Sequence, residues 1–324
     1  MLVGLVVFAS SCGSRDMHRV LQNNLPQPPE SPKVLAVYMP WFGDGSHMDV
    51  GYSSQDPAVL RRQISQARTL GISGFVVDWY GIRNTFLDKS FAVLQQVAAE
   101  QHFQVALMYD QPEDSSSAET DDTMQDFAGA YEKYVGPAAP YRDSYLRFQG
   151  RPLIFIFPKN NGTDWDRVRQ QVNTWEPAPL LIYKDEAPAR YEAAFDGYYP
   201  WIHPGHDEWS RDGSDWGKAY LENFYKTVKR EHPGKLVFGA AWPGFNDELA
   251  PWSLNRYMAS RCGKTLESTL RLFRQYDSSS NPAPFLLIET WNDYEEGTAI
   301  EKTAFGPCSE DRNLRGGVSR AAAR

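Results

Sequence analysis

Short apolar runs recur along the chain, and stretches with helical spacing of apolar positions follow several of them. The first run, KVLAVYMPW (33–41), is almost continuously apolar and is stopped by Pro40, as a strand buried on both faces reads. The stretch DPAVLRRQISQARTLG comes next, with Asp56 as N-cap, Pro57 in the first turn and Gly71 as the stop of a predicted helix. The theme continues with SGFVVDWYG (73–81), QVALMYD (104–110), RPLIFIFP (151–158), PLLIYKDE (179–186), FDGYYPW (195–201), KLVFGAAWPG (235–244) and PFLLIETWND (284–293). Helical patterns follow through FLDKSFAVLQQVAAEQH, near 121–136, through WGKAYLENFYKTVKREH and near 263–275.

Eight strand candidates, alternating with helices or with room for them, predict an α/β fold of the (β/α)8 TIM-barrel type in a single domain. The turn WFGDG after the first strand lacks GxGxxG spacing, which argues against a dinucleotide fold. The expected boundaries are an export signal of lipoprotein type at 1–12, a Pro-rich linker at 13–32, the barrel at 33–310 and a tail at 311–324. The signal rests on the apolar run Leu2–Ala9, too short to span a bilayer, followed by FASSC, which is similar to a lipobox. Cys12 would then carry the lipid, the protein would be exported to the cell envelope, and any membrane contact would run through that anchor. Cys262 and Cys308 would be either one disulfide or two buried thiols.

Charge narrows the function. The formal charge is -8 and no Lys/Arg cluster is present, so a nucleic-acid partner is not expected. With 10 Trp and 17 Tyr, the chain is rich in rings that suit flat, partly apolar surfaces such as sugars, although a large core would use them too.

In such barrels the site lies at the C-terminal strand ends. Those ends carry Tyr38 and Trp41, then Asp78, Trp79 and Tyr80, then Tyr109 and Asp110, Tyr183, Asp185 and Glu186, Tyr199, Trp201 and His203, and Trp242. The last run adds Glu289, Trp291, Asn292, Asp293, Tyr294 and Glu296. Aromatics with interspersed carboxylates suit a neutral polyhydroxylated substrate, and the alternative is that several simply close the barrel top. Within IETWNDYEEGTAIE (288–301), Asp293 and Glu296 are three residues apart, which puts both on one face of a helical turn. Two such carboxyls with separated proton affinities are what glycoside cleavage uses. A solvated acidic turn is the competing reading, and Glu295 and Glu301 are expected to be solvated. HPGHDE brings His203, His206, Asp207 and Glu208 together, but Pro204 and Gly205 break the helix that a metal site of this spacing uses, so no metal is expected. Arg256 and Arg261 could reach the cleft or lie on the surface.

The motifs YMPWFG, GISGFVVDWYG, YLRFQGRPLIFIF, FDGYYPW, WPGFND and TWNDYEEGTAIE, spread over residues 33–303, together resemble the glycoside hydrolase family 99 and family 71 group. The resemblance implies a carbohydrate substrate, no cofactor, and endo action on α-linked glycans. It implies that Glu296 is the general acid/base and that Asp293 assists the sugar 2-hydroxyl in a retaining route through a 1,2-anhydro sugar. Family 99 carries Glu at the position of Asp293 and Trp-His at the positions of Tyr294 and Glu295. Trp291–Tyr294 are similar to the run in family 71 α-1,3-glucanases. Tyr38, Trp41, Asp78, Trp79, Tyr109, Asp110, Tyr199, Trp201, Trp242, Glu289, Trp291, Asn292 and Tyr294 are the expected substrate contacts.

Overall fold

A computed structural model describes residues 17–21, 32–111, 119–159, 162–205, 209, 214–277 and 282–301. The lipidation site Cys12, the signal, the tail, His206 to Glu208 and Cys308 lie outside the described residues.

The strands are β1 (Lys33–Tyr38), β2 (Ile72–Trp79), β3 (Gln104–Asp110), β4 (Arg151–Phe157), β5 (Leu180–Lys184), β6 (Gly197–Tyr199), β7 (Leu236–Val237), β8 (Gly239–Ala241) and β9 (Phe285–Ile288). All pair in parallel, β1 through β6 in chain order and then β7 on β6. β8 pairs with β9, and β9 returns to β1. β7 and β8 are two pieces of one stave broken at Phe238, whose N–H still reaches the Tyr198 carbonyl at 3.0 Å. The sheet is therefore a closed barrel of eight staves, as the strand pattern predicts.

The helices α1 (Pro57–Thr69), α2 (Thr85–Glu100), α3 (Glu119–Ala130), α4 (Trp165–Val172), α5 (Lys218–Glu231) and α6 (Lys264–Tyr276) form the outer ring. Asp56 caps α1 by accepting from the Ala58 N–H, as read from the sequence. Between β5 and β6 only a short 3₁₀ turn, Ala189–Ala194, replaces a helix. Phe155 packs edge-on against Phe238, which stacks face to face on Phe285, through the barrel interior with ring centroids 5.1–5.2 Å apart. Inside the stretch expected as an extended linker, residues 17–21 form a helical turn. There Leu21 is buried in the core and His18 Nε2 sits 3.3 Å from the Ile300 carbonyl. Part of that stretch is thus packed on the barrel, because Leu21 finds an apolar seat there.

Candidate active site

The barrel's C-terminal mouth holds a cavity of about 1130 Å³. Strand alternation decides which strand-end residues reach it. On β2, Asp78 points in and Trp79 points out, where its indole N–H meets Asp88 of α2 at 3.3 Å. On β3, Met108 and Asp110 point in, and Tyr109 points out to Asp126 of α3 at 3.0 Å. After β1, Met39 and Trp41 line the cavity, while the Tyr38 hydroxyl donates outward to Gln63 of α1 at 2.9 Å.

The same logic corrects other expected contacts. Tyr199 is buried below the cavity and donates to the Ile156 carbonyl, and Trp242 donates to the Trp216 carbonyl. Trp291 packs against Phe75 with centroids 5.4 Å apart. Asn292 ties the turn after β9 to β1, its amide bonded to both the N–H and the carbonyl of Met39. Tyr294 donates to Glu301 at 2.6 Å. None of these lines the cavity. Glu289 is fully buried beneath it, and neither carboxyl oxygen has a hydrogen-bond partner. Of the expected set, Trp41, Asp78, Asp110, Trp201, Asp293 and Glu296 line the cavity together, with Tyr80, Asp185, His203 and Arg256.

The turn after β9 is built inward. Asp293 is buried, its N–H bonded to Thr290 Oγ1, and its carboxylate accepts the Glu296 N–H at 2.8 Å. Gly297, at φ +64°, ends this turn where an L side chain would be strained. Glu296 Oε1 accepts from the Trp252 indole at 2.9 Å and faces the Arg256 guanidinium at 3.4 Å. Burial, then the neighbouring Glu296, push the Asp293 carboxyl well above the usual range. Burial likewise raises Glu296, against the opposing pull of Trp252 and Arg256. Both carboxyls therefore have raised proton affinity, chiefly from burial. Asp78 is raised by burial and by Asp110, with Lys159 opposing.

Glu295 and Glu301 were expected in solvent, and both are buried. Glu295 accepts from His47 at 2.9 Å and from the Met48 N–H at 2.8 Å. Glu301 accepts from Tyr52, Gln63 and Tyr294. They anchor loops instead of meeting water.

Sequence reasoning missed Lys159, Lys184, Trp209, Trp252 and Asn255, which also line the cavity. Lys159 pairs with Asp110 at 3.1 Å, and Lys184 lies 3.9 Å over the Phe157 ring. Both lysines directly follow or end apolar runs. A search of strand ends for any polar group, not only acids and aromatics, would have found them. Trp252 sits on a strap between the paired segments Phe245–Asn246 and Tyr257–Met258, which periodicity does not mark. Among the described residues no cluster of three or more His, Cys, Asp or Glu is placed to hold a metal.

A closed parallel barrel with paired acids in an aromatic-lined mouth is the architecture of barrel glycoside hydrolases. The model of glycosyl hydrolase family 99 matches residues 17–315, and the chain belongs to that family. A mouse glycoprotein endo-alpha-1,2-mannosidase-like protein is 23% identical over 89% of this chain, which spans 66% of that relative's length. The structure of a GH99 endo-alpha-mannosidase from Bacteroides thetaiotaomicron superposes with a TM-score of 0.64 at 19% identity, covering 86% of this chain and 91% of the other. A glycoside hydrolase-like protein superposes with a TM-score of 0.63 at 18% identity, covering 90% of this chain and 92% of the other.

Proposed function

We propose that the protein hydrolyses α-linked glycans, acting within α-mannan-type chains, with Asp293 and Glu296 as its catalytic carboxyls. The observation that carries this is Glu296: a carboxyl at the cavity wall, oriented by Trp252 and Arg256, raised by burial, and adjoining the buried Asp293. The mannosidase relatives supply the sugar class.

In the proposed first step, Asp293 takes the proton of the sugar 2-hydroxyl. The 2-oxygen attacks the anomeric carbon, the glycosidic bond breaks, and Glu296 gives its proton to the leaving oxygen. Water then opens the 1,2-anhydro sugar, Glu296 takes the water proton, and Asp293 returns its own to the 2-oxygen. The net reaction adds water with retained configuration. Asp at 293 reaches one methylene less far than Glu. The backbone bond from Glu296 N–H orients this shorter side chain. Trp201, half-buried at the cavity, offers a stacking face for a neighbouring sugar. Export to the cell envelope, read from the N-terminal apolar run, would give access to such polymers.

Incubation with α-mannan, α-1,3-glucan and related oligosaccharides tests the reading. Release of shorter mannan fragments is expected, with Glu296→Gln losing at least ~100-fold. Cleavage of the glucan alone would move the substrate to that linkage. No cleavage of any glycan would leave a glycan-binding protein.

A further inference from the structure

An arginine beside a general acid poses a problem. It orients the carboxyl, but a bare positive charge favours the ionised form and removes the proton that the acid must donate. Arg256 is not bare. Its Nε donates to Asp247 Oδ2 at 2.7 Å, while its terminal nitrogen faces Glu296 Oε1 at 3.4 Å. Asp247 is fully buried, though it belongs to an exposed strap whose Leu249 and Leu254 lie in solvent. Asp247 gathers that strap around itself. Oδ1 accepts from Ser253 Oγ and the Arg256 N–H, and Oδ2 from the Leu254 N–H as well as Arg256 Nε. The strap is tied to the catalytic turn next door, where the Asn246 N–H donates to the Glu296 carbonyl at 2.8 Å.

We propose that Asp247 is a positioning residue: it holds Arg256 and Trp252 on Glu296 and neutralises Arg256 in place, so that the arginine orients the acid as an ion-paired donor. The charged groups facing Glu296 are Asp293 from its own turn, Arg256 and Asp247 from the strap, and Lys159 after β4. Arg256 and Lys159 pull the Glu296 proton affinity down, and Asp247 pushes it up. Asp247 itself is held below the usual carboxylate range; burial opposes this, and its bonds to Arg256 and the strap outweigh burial.

This role rests on Glu296 being the acid, so the test reads its titration separately from activity. Protein labelled with ¹³C at glutamate carboxyls is titrated by NMR, with Glu296→Gln identifying the resonance. In Asp247→Asn, which keeps the size but only one of the two acceptor oxygens, the Glu296 midpoint falls, because Arg256 is no longer neutralised. In Arg256→Gln the midpoint rises. In Asp247→Glu, which restores the charge, it returns toward the wild-type value. The basic limb of the activity profile follows each shift, and Asp247→Asn is about tenfold slower at mildly alkaline pH. A scaffold role alone predicts the opposite sign for Asp247→Asn, since a loosened Arg256 lets the midpoint rise. That rise, or no shift, overturns the proposal. If Asp247→Asn does not fold, Arg256→Gln decides, and an unshifted midpoint there overturns it. Wild-type protein that cleaves no glycan would defeat the hydrolase reading and leave the titration result standing.

Discussion

The Trp252 indole N–H lies 2.9 Å from Glu296 Oε1, joining a half-exposed ring at the cavity mouth to the carboxyl at its wall. The donor favours the ionised carboxylate. Trp252→Phe keeps a ring and removes the donor, so Glu296 should hold its proton to higher pH. The basic limb of the activity profile then moves to higher pH. A hydrogen bond to a charged group is worth about 1.5–3 kcal/mol, so kcat should fall roughly 10- to 100-fold. A pH–rate profile checks both, and an unmoved limb would detach Trp252 from the acid.

Glu295 joins the turn after β9 to the loop after β1 through His47 and the Met48 N–H. Glu295→Ala strands both donors in a half-buried place, at a cost of about 1–3 kcal/mol. For a chain of this size the melting temperature should drop by about 2–4 °C per kcal/mol. His47 stacks on Trp41 with centroids 4.5 Å apart, so KM should rise as that wall loosens. Thermal melting and steady-state kinetics on one preparation test the pair of effects.

Glu289 is buried with no hydrogen bond to either carboxyl oxygen, and burial raises its proton affinity well above the usual range. The native pKa therefore exceeds the unfolded one. Its contribution to stability is fully present below the ordinary glutamate pKa and is lost as pH rises through the native value. Glu289→Gln mimics the protonated form. Urea unfolding should show the variant more stable than wild type at pH 8, by on the order of 1–3 kcal/mol. The gap should close toward pH 4. A gap equal at both pH values would mean that the native pKa of Glu289 is not raised above the unfolded one.

The barrel was legible because eight apolar runs, alternating with helical patterns or with room for them, leave few other folds. Strand ends were harder. The aromatic of each pair was as visible as the acid, but one residue of phase separates Asp78 in the cavity from Trp79 behind it, and composition carries no phase. That Asp293 and Glu296 share one turn at the cavity was legible from their spacing after the last strand. Their neighbours were not, because an acidic run reads as solvated until its partners are known. Glu295 finds His47 and Glu301 finds Tyr52, residues about 250 positions away in the chain. The strap bearing Trp252 and Arg256 has no periodicity, and only the fold reveals that Asp247 organises it.

The proposed mechanism gives Asp293 and Glu296 different protons to move, the 2-hydroxyl's and the leaving group's. It is tested most directly by comparing two substrates of different leaving-group ability, a natural α-mannoside linkage and an activated aryl or fluoride α-mannoside. A good leaving group departs without a proton, while the 2-hydroxyl must be engaged in both cases. Glu296→Gln should lose at least ~100-fold on the natural linkage and keep much of its bond-breaking rate on the activated one, whereas Asp293→Asn should lose on both. Equal losses on the two substrates for Glu296→Gln, or an Asp293→Asn variant as fast as wild type, would contradict the account.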